Sequence, residues 1–110
     1  MNFNEYQERA HKTSLNTNIN GSELIYPILG LVDEAGEVVG KVKKLFRDGA
    51  GIITDEFKNV MIKELGDVQW YLAETCTKLG ISLDEIAVQN INKLESRKER
   101  GKLQGSGDNR

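Results

Sequence analysis

The chain is poor in the residues that usually mark a metal site, a disulfide framework or a membrane segment. Its 110 residues include one cysteine, one histidine, one proline and one tryptophan. Cys76 cannot form an internal disulfide. It falls in an apolar helical pattern and reads as a buried free thiol, which fits a reducing compartment. His11 lies in the first helical segment, outside every acidic motif, and reads as an exposed helix residue. No apolar run approaches the roughly 20 residues that a membrane span needs. The N-terminus is polar and charged and carries no apolar signal-peptide core. Strand alternation is missing beyond Ile52-Ile53, and no internal repeat is visible. Positive charge is not in excess: 15 Lys and Arg stand against 17 Asp and Glu, a formal net charge of −2. No overall basic field therefore favours a nucleic acid polymer. The expectation is a cytoplasmic protein without membrane or nucleic acid partners.

Helical periodicity is abundant. The first helix reads from about Phe3 to Lys12, with Asn2 and Glu5 at capping-box spacing. Thr13 to Gly21 is a polar loop. The second helix reads from about Ser22 to Arg47, with Ser22 as an N-cap and Pro27 delaying the regular helix to about Tyr26 or Pro27. Gly30, Gly36 and Gly40 interrupt it, each costing about 1 kcal/mol against alanine. Close approach of another backbone or of a ligand would explain them. Thr54 or Asp55 caps a third helix that runs to Leu79 and is closed by Gly80. Ser82-Leu83-Asp84-Glu85 is a capping box opening a fourth helix to about Arg100. Residues 1–100 form one all-α domain of antiparallel helices, and residues 101–110 a glycine-rich tail. That tail is either disordered or packed near a site, where its glycines and Arg110 could meet phosphate. The second and third helices are apolar around much of their circumference, more than one small bundle can cover, which predicts a homo-oligomer, a dimer or a dimer of dimers.

The richest signal is a pair of acidic motifs, Glu34-x-x-Glu37 and Glu64-x-x-Asp67. Carboxylates at i, i+3 lie on one helix face. Glu64 falls inside the stripe formed by Phe57, Met61, Val68, Tyr71, Thr75 and Leu79, and Asp67 at its edge. An acid in a packing stripe needs solvent, a cationic partner or a metal. Oxygen donors without His or Cys argue against zinc and for Mg²⁺, with Mn²⁺ second. Magnesium carboxylate clusters serve phosphate chemistry, which also needs cations. Asn90-x-x-Lys93-x-x-x-Arg97 supplies a polar face on the fourth helix, equally readable as a solvated flank. Lys41, Lys43, Lys44 and Arg47 form a second basic group, which the helix macrodipole alone would explain.

With these residues in place, the chain resembles the MazG family of all-α NTP pyrophosphohydrolases. The resemblance rests on Gly30-Leu31-Val32-Asp33-Glu34-Ala35-Gly36-Glu37-Val38, on Lys63-Glu64-Leu65-Gly66-Asp67-Val68-Gln69-Trp70-Tyr71-Leu72, and on Asn90-Ile91-Asn92-Lys93-Leu94. It covers roughly Phe3 to Arg100. It implies a four-helix bundle completed by homo-oligomerisation, with active sites drawing on more than one chain. It also implies Mg²⁺-dependent hydrolysis of a nucleoside triphosphate to the monophosphate and pyrophosphate, in the manner of house-cleaning enzymes. The metal ligands would be Glu34, Glu37, Glu64 and Asp67, with Glu34 or Glu37 also orienting the attacking water. Asn90, Lys93 and Arg97 would bind phosphate. Trp70 would stack on the base or belong to the core.

Two other classes remain open on the sequence. One is a phosphohydrolase using the same cluster on a nucleoside diphosphate or an alarmone. The other is a nucleotide-binding module without turnover. No motif reads a base edge, so base and sugar preference are not legible.

Overall fold

A computed structural model describes residues 1–110. It contains four helices and no strand: α1 (Phe3–His11), α2 (Ile25–Gly49), α3 (Asp55–Leu79) and α4 (Leu83–Glu99). The all-α, four-helix architecture read from the sequence is the one observed.

Local signals account for most boundaries. The Asn2 side chain accepts from Glu5 N and the Glu5 carboxylate accepts from Asn2 N, a complete capping box. Thr54 Oγ1 accepts from Phe57 N at 3.1 Å, opening α3. Gly80, at φ +70°, closes it with its N–H on the Cys76 and Thr77 carbonyls. Ser82 Oγ accepts from Glu85 N, but only this half of the expected box forms, because Glu85 turns to accept from Gln89. Ser22 is not the N-cap of α2. It pairs with Ile19 across a turn at Asn20 and Gly21, so the helix begins at Ile25, with Pro27 in its first turn. Helix α2 also outlasts the expected end at Arg47 and stops at Gly49, where Ala50 takes a left-handed conformation (φ 53°).

Helices α2 and α3 form a long antiparallel hairpin, fixed by Gly30 against Tyr71 and by Lys41 against Glu64. A Cβ on Gly30 would overlap the Tyr71 ring, so glycine is required there for close approach. Gly36 and Gly40 face open space within the chain. Helix α1 packs on α3 and α4, whereas α2 and α4 do not touch. At that end lies the core of Ala10, Ala73, Cys76 and Leu83, with Tyr6, Trp70, Leu72 and Ile86 packed against it. Gln7 of α1 clamps the α3–α4 turn: its amide donates to Thr77 Oγ1 and the Ile81 carbonyl and accepts from Leu83 N at 2.6 Å.

The rest of the molecule is open. The radius of gyration is 17.0 Å, against about 13 Å for a compact chain of this length. Leu29, Val32, Val39, Phe46, Ile62 and Leu65 on the hairpin are all half or more exposed. The core sits at one end and the hairpin projects from it.

The tail is ordered, and it packs on the end of α4. Arg97 is 5% exposed, and its Nη2 donates to the carbonyls of Gly107 and Asp108. Arg110 closes the segment on itself by donating to the carbonyls of Lys102, Leu103 and Gly107.

Candidate active site

The α2–α3 hairpin turns the i, i+3 spacing of the acids into proximity. Glu34 from α2 and Glu64 and Asp67 from α3 place carboxylate oxygens within 4.8 Å of one another. Glu34 and Glu64 are partly buried and Asp67 is exposed. Glu37, one turn beyond Glu34, is exposed and outside this group. It is near enough for its charge to act on Glu34.

The cluster is under-compensated. Within 4 Å its carboxylates meet a single cation: Lys41 Nζ lies 3.5 Å from Glu64 Oε1, while Glu34 and Asp67 have no ion-pair partner. Partial burial, and then the charges of Asp67, Asp33, Glu37 and Glu64, push the Glu34 carboxyl above its ordinary value. Like charges held together in this way are relieved by a cation. Three convergent oxygen donors on two rigid helices, open to solvent on one side, fit a hard divalent ion that keeps part of its water shell. The donor set contains no nitrogen or sulfur, so it does not fit a structural zinc site.

Beside the acids is a shallow cleft of about 360 Å³ lined by Thr13, Glu34, Asp67, Trp70 and Tyr71. Trp70 lies one turn after Asp67. Its Nε1 donates to Thr13 Oγ1 at 2.8 Å, and its ring meets Tyr71 edge-on. The indole thus belongs both to the core rim and to the cleft wall. Tyr71 is pushed up to about 12 by its hydrogen bond with Tyr26, by burial and by the charges of Tyr26, Glu34 and Asp33. Its phenol is therefore a donor at neutral pH and not a base. Thr13 went unmarked in the sequence because it sits in a polar loop. The Thr13 hydroxyl, donating to the Ala10 carbonyl, ties α1 to the cleft.

The expected phosphate residues lie elsewhere in the single chain. No residue of α4 lines the acidic cleft. Asn90 lines a separate, mostly apolar cleft with Phe3, Gln69, Leu72, Leu83, Ile86 and Ala87. Lys93 and Arg97 face the tail, with their cationic nitrogens 3.8 and 3.7 Å from the Asp108 carboxylate. The solvated-flank reading of α4 does not hold for Arg97, because the tail covers it. The Arg97 Nε is buried with no hydrogen-bond partner.

A further acid on α3, Glu74, escaped the sequence reading. It is 1% exposed. His11 Nδ1 lies 3.1 and 3.2 Å from its two oxygens, and Lys78 Nζ 3.5 Å from one of them. His11 is thus a partly covered partner of a buried carboxylate and not a free surface residue. Lys78 also donates to Glu23 and Asn16, which fastens the 12–24 loop to α3. Glu74 lies three residues after Tyr71, and its neighbours Ala73 and Thr75 gave no sign that an acid there would be covered. His11 reaches it only through the docking of α1.

Residues 25–101 match the family described as the MazG nucleotide pyrophosphohydrolase domain. The chain is also similar to the Gene 37 protein of Mycobacterium phage L5, with 44% identity over 114 aligned positions that cover all of both chains. The name of that relative states no activity. No solved structure matches the chain. The matched span contains all four acids and Asn90, Lys93 and Arg97.

Proposed function

This chain belongs to the MazG nucleotide pyrophosphohydrolase family, and on that premise we propose that it hydrolyses a nucleoside or deoxynucleoside triphosphate to the monophosphate and pyrophosphate, with Mg²⁺ as cofactor. The observation that carries the reading is the convergence of Glu34, Glu64 and Asp67 within 4.8 Å with one lysine for compensation. These three acids would hold the divalent ion, and Glu37, one turn further along α2 and outside the group, would act on the water it binds. Bound there, the ion lowers the pKa of a coordinated water and draws charge from phosphate oxygens.

The chain's own residues supply the remainder. Glu34, lining the cleft and beside the other acids that hold the ion, is placed to take the proton of the attacking water. Glu37 orients that water from the solvent side. Trp70 and Tyr71 offer an aromatic wall to the nucleoside, and the Tyr71 phenol donates a hydrogen bond. Attack at the α-phosphorus makes pyrophosphate the leaving group, whose charge needs cations as it develops. Lys93 supplies one, with Asn90 as a polar contact, and Arg97 a second where the tail that covers it gives way to substrate. Because α2 and α4 do not touch within the chain, these α4 residues reach the acids of another subunit. The exposed apolar hairpin face supports the homo-oligomer that this requires. A cytoplasmic house-cleaning role on non-canonical nucleotides fits this chemistry.

Hydrolysis in ¹⁸O-labelled water tests the point of attack. The account expects the label in the monophosphate and unlabelled pyrophosphate. Label in pyrophosphate would move the attack to the β-phosphorus, and release of orthophosphate alone would replace the account with a different phosphohydrolase. Light scattering should find an oligomer at micromolar concentration, and a monomer would remove the shared site.

A further inference from the structure

The basic residues after Glu37 are not equivalent. Lys43, Lys44 and Arg47 are exposed on α2, and Arg47 is taken by its neighbour Asp48 at 2.9 Å. Lys41 is different. Its side chain is about two-thirds covered, and its ammonium stands 3.5 Å from Glu64 Oε1 on the opposite helix. It follows Glu34 by seven residues, two helical turns, so it shares a face of α2 with that acid. Helix-dipole complementarity does not require this inward placement. That effect is confined to the last turn, and α2 continues eight residues further, to Gly49.

The charge arithmetic gives the placement a purpose. Three carboxylates within 4.8 Å carry three negative charges when ionised, and Lys41 offsets one of them. A divalent ion arriving at Glu64 meets this ammonium as a repulsive neighbour and as a competitor for the same oxygen. A lysine is a flexible point charge that rotates away more cheaply than a guanidinium fork. Released from Glu64, it stays within one side-chain length of whatever the ion holds, and phosphate oxygens are the anions an ammonium takes up.

We propose that Lys41 is the resident counter-cation of the acidic cluster, exchanged for the divalent ion at Glu64 and then transferred to the phosphate chain of the substrate. This rests on the metal-site reading above and adds a residue and a sequence of contacts to it. Lys41 holds the hairpin's acids together in the metal-free protein, sets the metal affinity, and supplies a same-chain cation to the leaving diphosphate.

The test uses Mn²⁺ as the probe, followed by electron paramagnetic resonance without nucleotide. The protein is compared with Lys41→Met, Lys41→Gln and Lys41→Arg, helix-compatible changes whose folding is checked by circular dichroism. Removing the charge should tighten Mn²⁺ binding by about three- to tenfold, the scale of one unit charge beside a divalent ion in solvent-accessible surroundings. Lys41→Arg should stay near the parent value. In the same variants, inhibition by inorganic pyrophosphate should weaken by at least about threefold, the loss of one exposed charge contact. Mn²⁺ affinity that is unchanged or weaker in both neutral variants, while Asp67→Asn abolishes binding, overturns the exchange and leaves the metal site standing. Unchanged pyrophosphate inhibition overturns the transfer to phosphate. A parent protein that binds no Mn²⁺ at the cluster overturns both this inference and the function it rests on.

Discussion

Helix α3 carries two acidic sites that answer the same physical problem in opposite ways. At its C-terminal end Glu74 is buried, and His11 and Lys78 cover it with cationic or hydrogen-bonding groups. In its middle, Glu64 and Asp67 meet Glu34 with only Lys41 in reach. The first acid is satisfied by the chain and fastens α1 and the 12–24 loop in place. The second group is left short of positive charge on a hairpin that is itself left short of apolar cover. An acid that the fold completes serves stability, and acids that the fold leaves incomplete are available to a ligand. The comparison separates two roles that composition alone does not distinguish.

The largest effect should come from emptying the incomplete site. Asp67→Ala should lower Mg²⁺-dependent turnover by at least about a hundredfold, since a hard ion loses one of few carboxylate ligands. Its melting temperature without metal should not fall, because a like charge has been removed. Pyrophosphate release and a thermal melt measure the two halves, and a destabilised, active variant would erase the contrast with Glu74. Glu74→Ala should behave in the opposite sense and cost about 2 kcal/mol of stability, less than a fully buried pair because His11 is partly exposed. Chemical denaturation reads this, and an unchanged unfolding free energy would show that the buried acid is not an anchor.

Glu37→Ala sharpens the boundary of the site. Glu37 lies outside the preformed three-acid group, so its loss should cost about tenfold in turnover, a water-orienting contribution smaller than loss of a ligand. A loss equal to that of Asp67→Ala would make it a full ligand that the metal draws in.

The smallest effect concerns pH. The folded-state Glu34 carboxyl titrates above its ordinary value. The folded chain therefore holds more proton than the unfolded chain between those two values, and the group's contribution to stability is present below this window and lost as pH rises through it. Metal binding runs the other way and weakens as pH falls through the raised value. Mn²⁺ affinity of the parent followed against pH should show this, and the Glu34 carboxyl, titrated by NMR without metal, should have its midpoint moved down in Asp67→Asn. A midpoint unmoved by that change would mean the acids do not share charge.

Much of this was legible in the sequence because it is local. Asn2, Thr54, Gly80 and Ser82 mark helix ends through side-chain or glycine chemistry that acts within four residues. The 3.6-residue period showed four helices, and the i, i+3 acids announced themselves among apolar neighbours. Two members of the stripe, Glu64 and Tyr71, meet α2 at Lys41 and Gly30, whereas Leu79 is exposed. What the sequence could not show depends on docking between distant segments. Glu74 gains His11 only when α1 docks, and Arg97 is covered by the tail that folds back on α4. The inward turn of Lys41 depends on the hairpin register. Gly30 was readable as a close-approach glycine, but its partner, the Tyr71 ring, was not. The start of α2 was misplaced because Ser22 has cap chemistry but is engaged in the Asn20-Gly21 turn, a competition between two local motifs.

The most direct test of the central claim is a product assay over the common and damaged nucleoside and deoxynucleoside triphosphates with Mg²⁺, run on the parent chain and on Asp67→Ala. The account predicts that at least one triphosphate yields equal amounts of monophosphate and pyrophosphate, that chelation of the metal stops the reaction, and that Asp67→Ala yields neither product. Orthophosphate as the sole inorganic product, or turnover indifferent to metal and to Asp67, would contradict it.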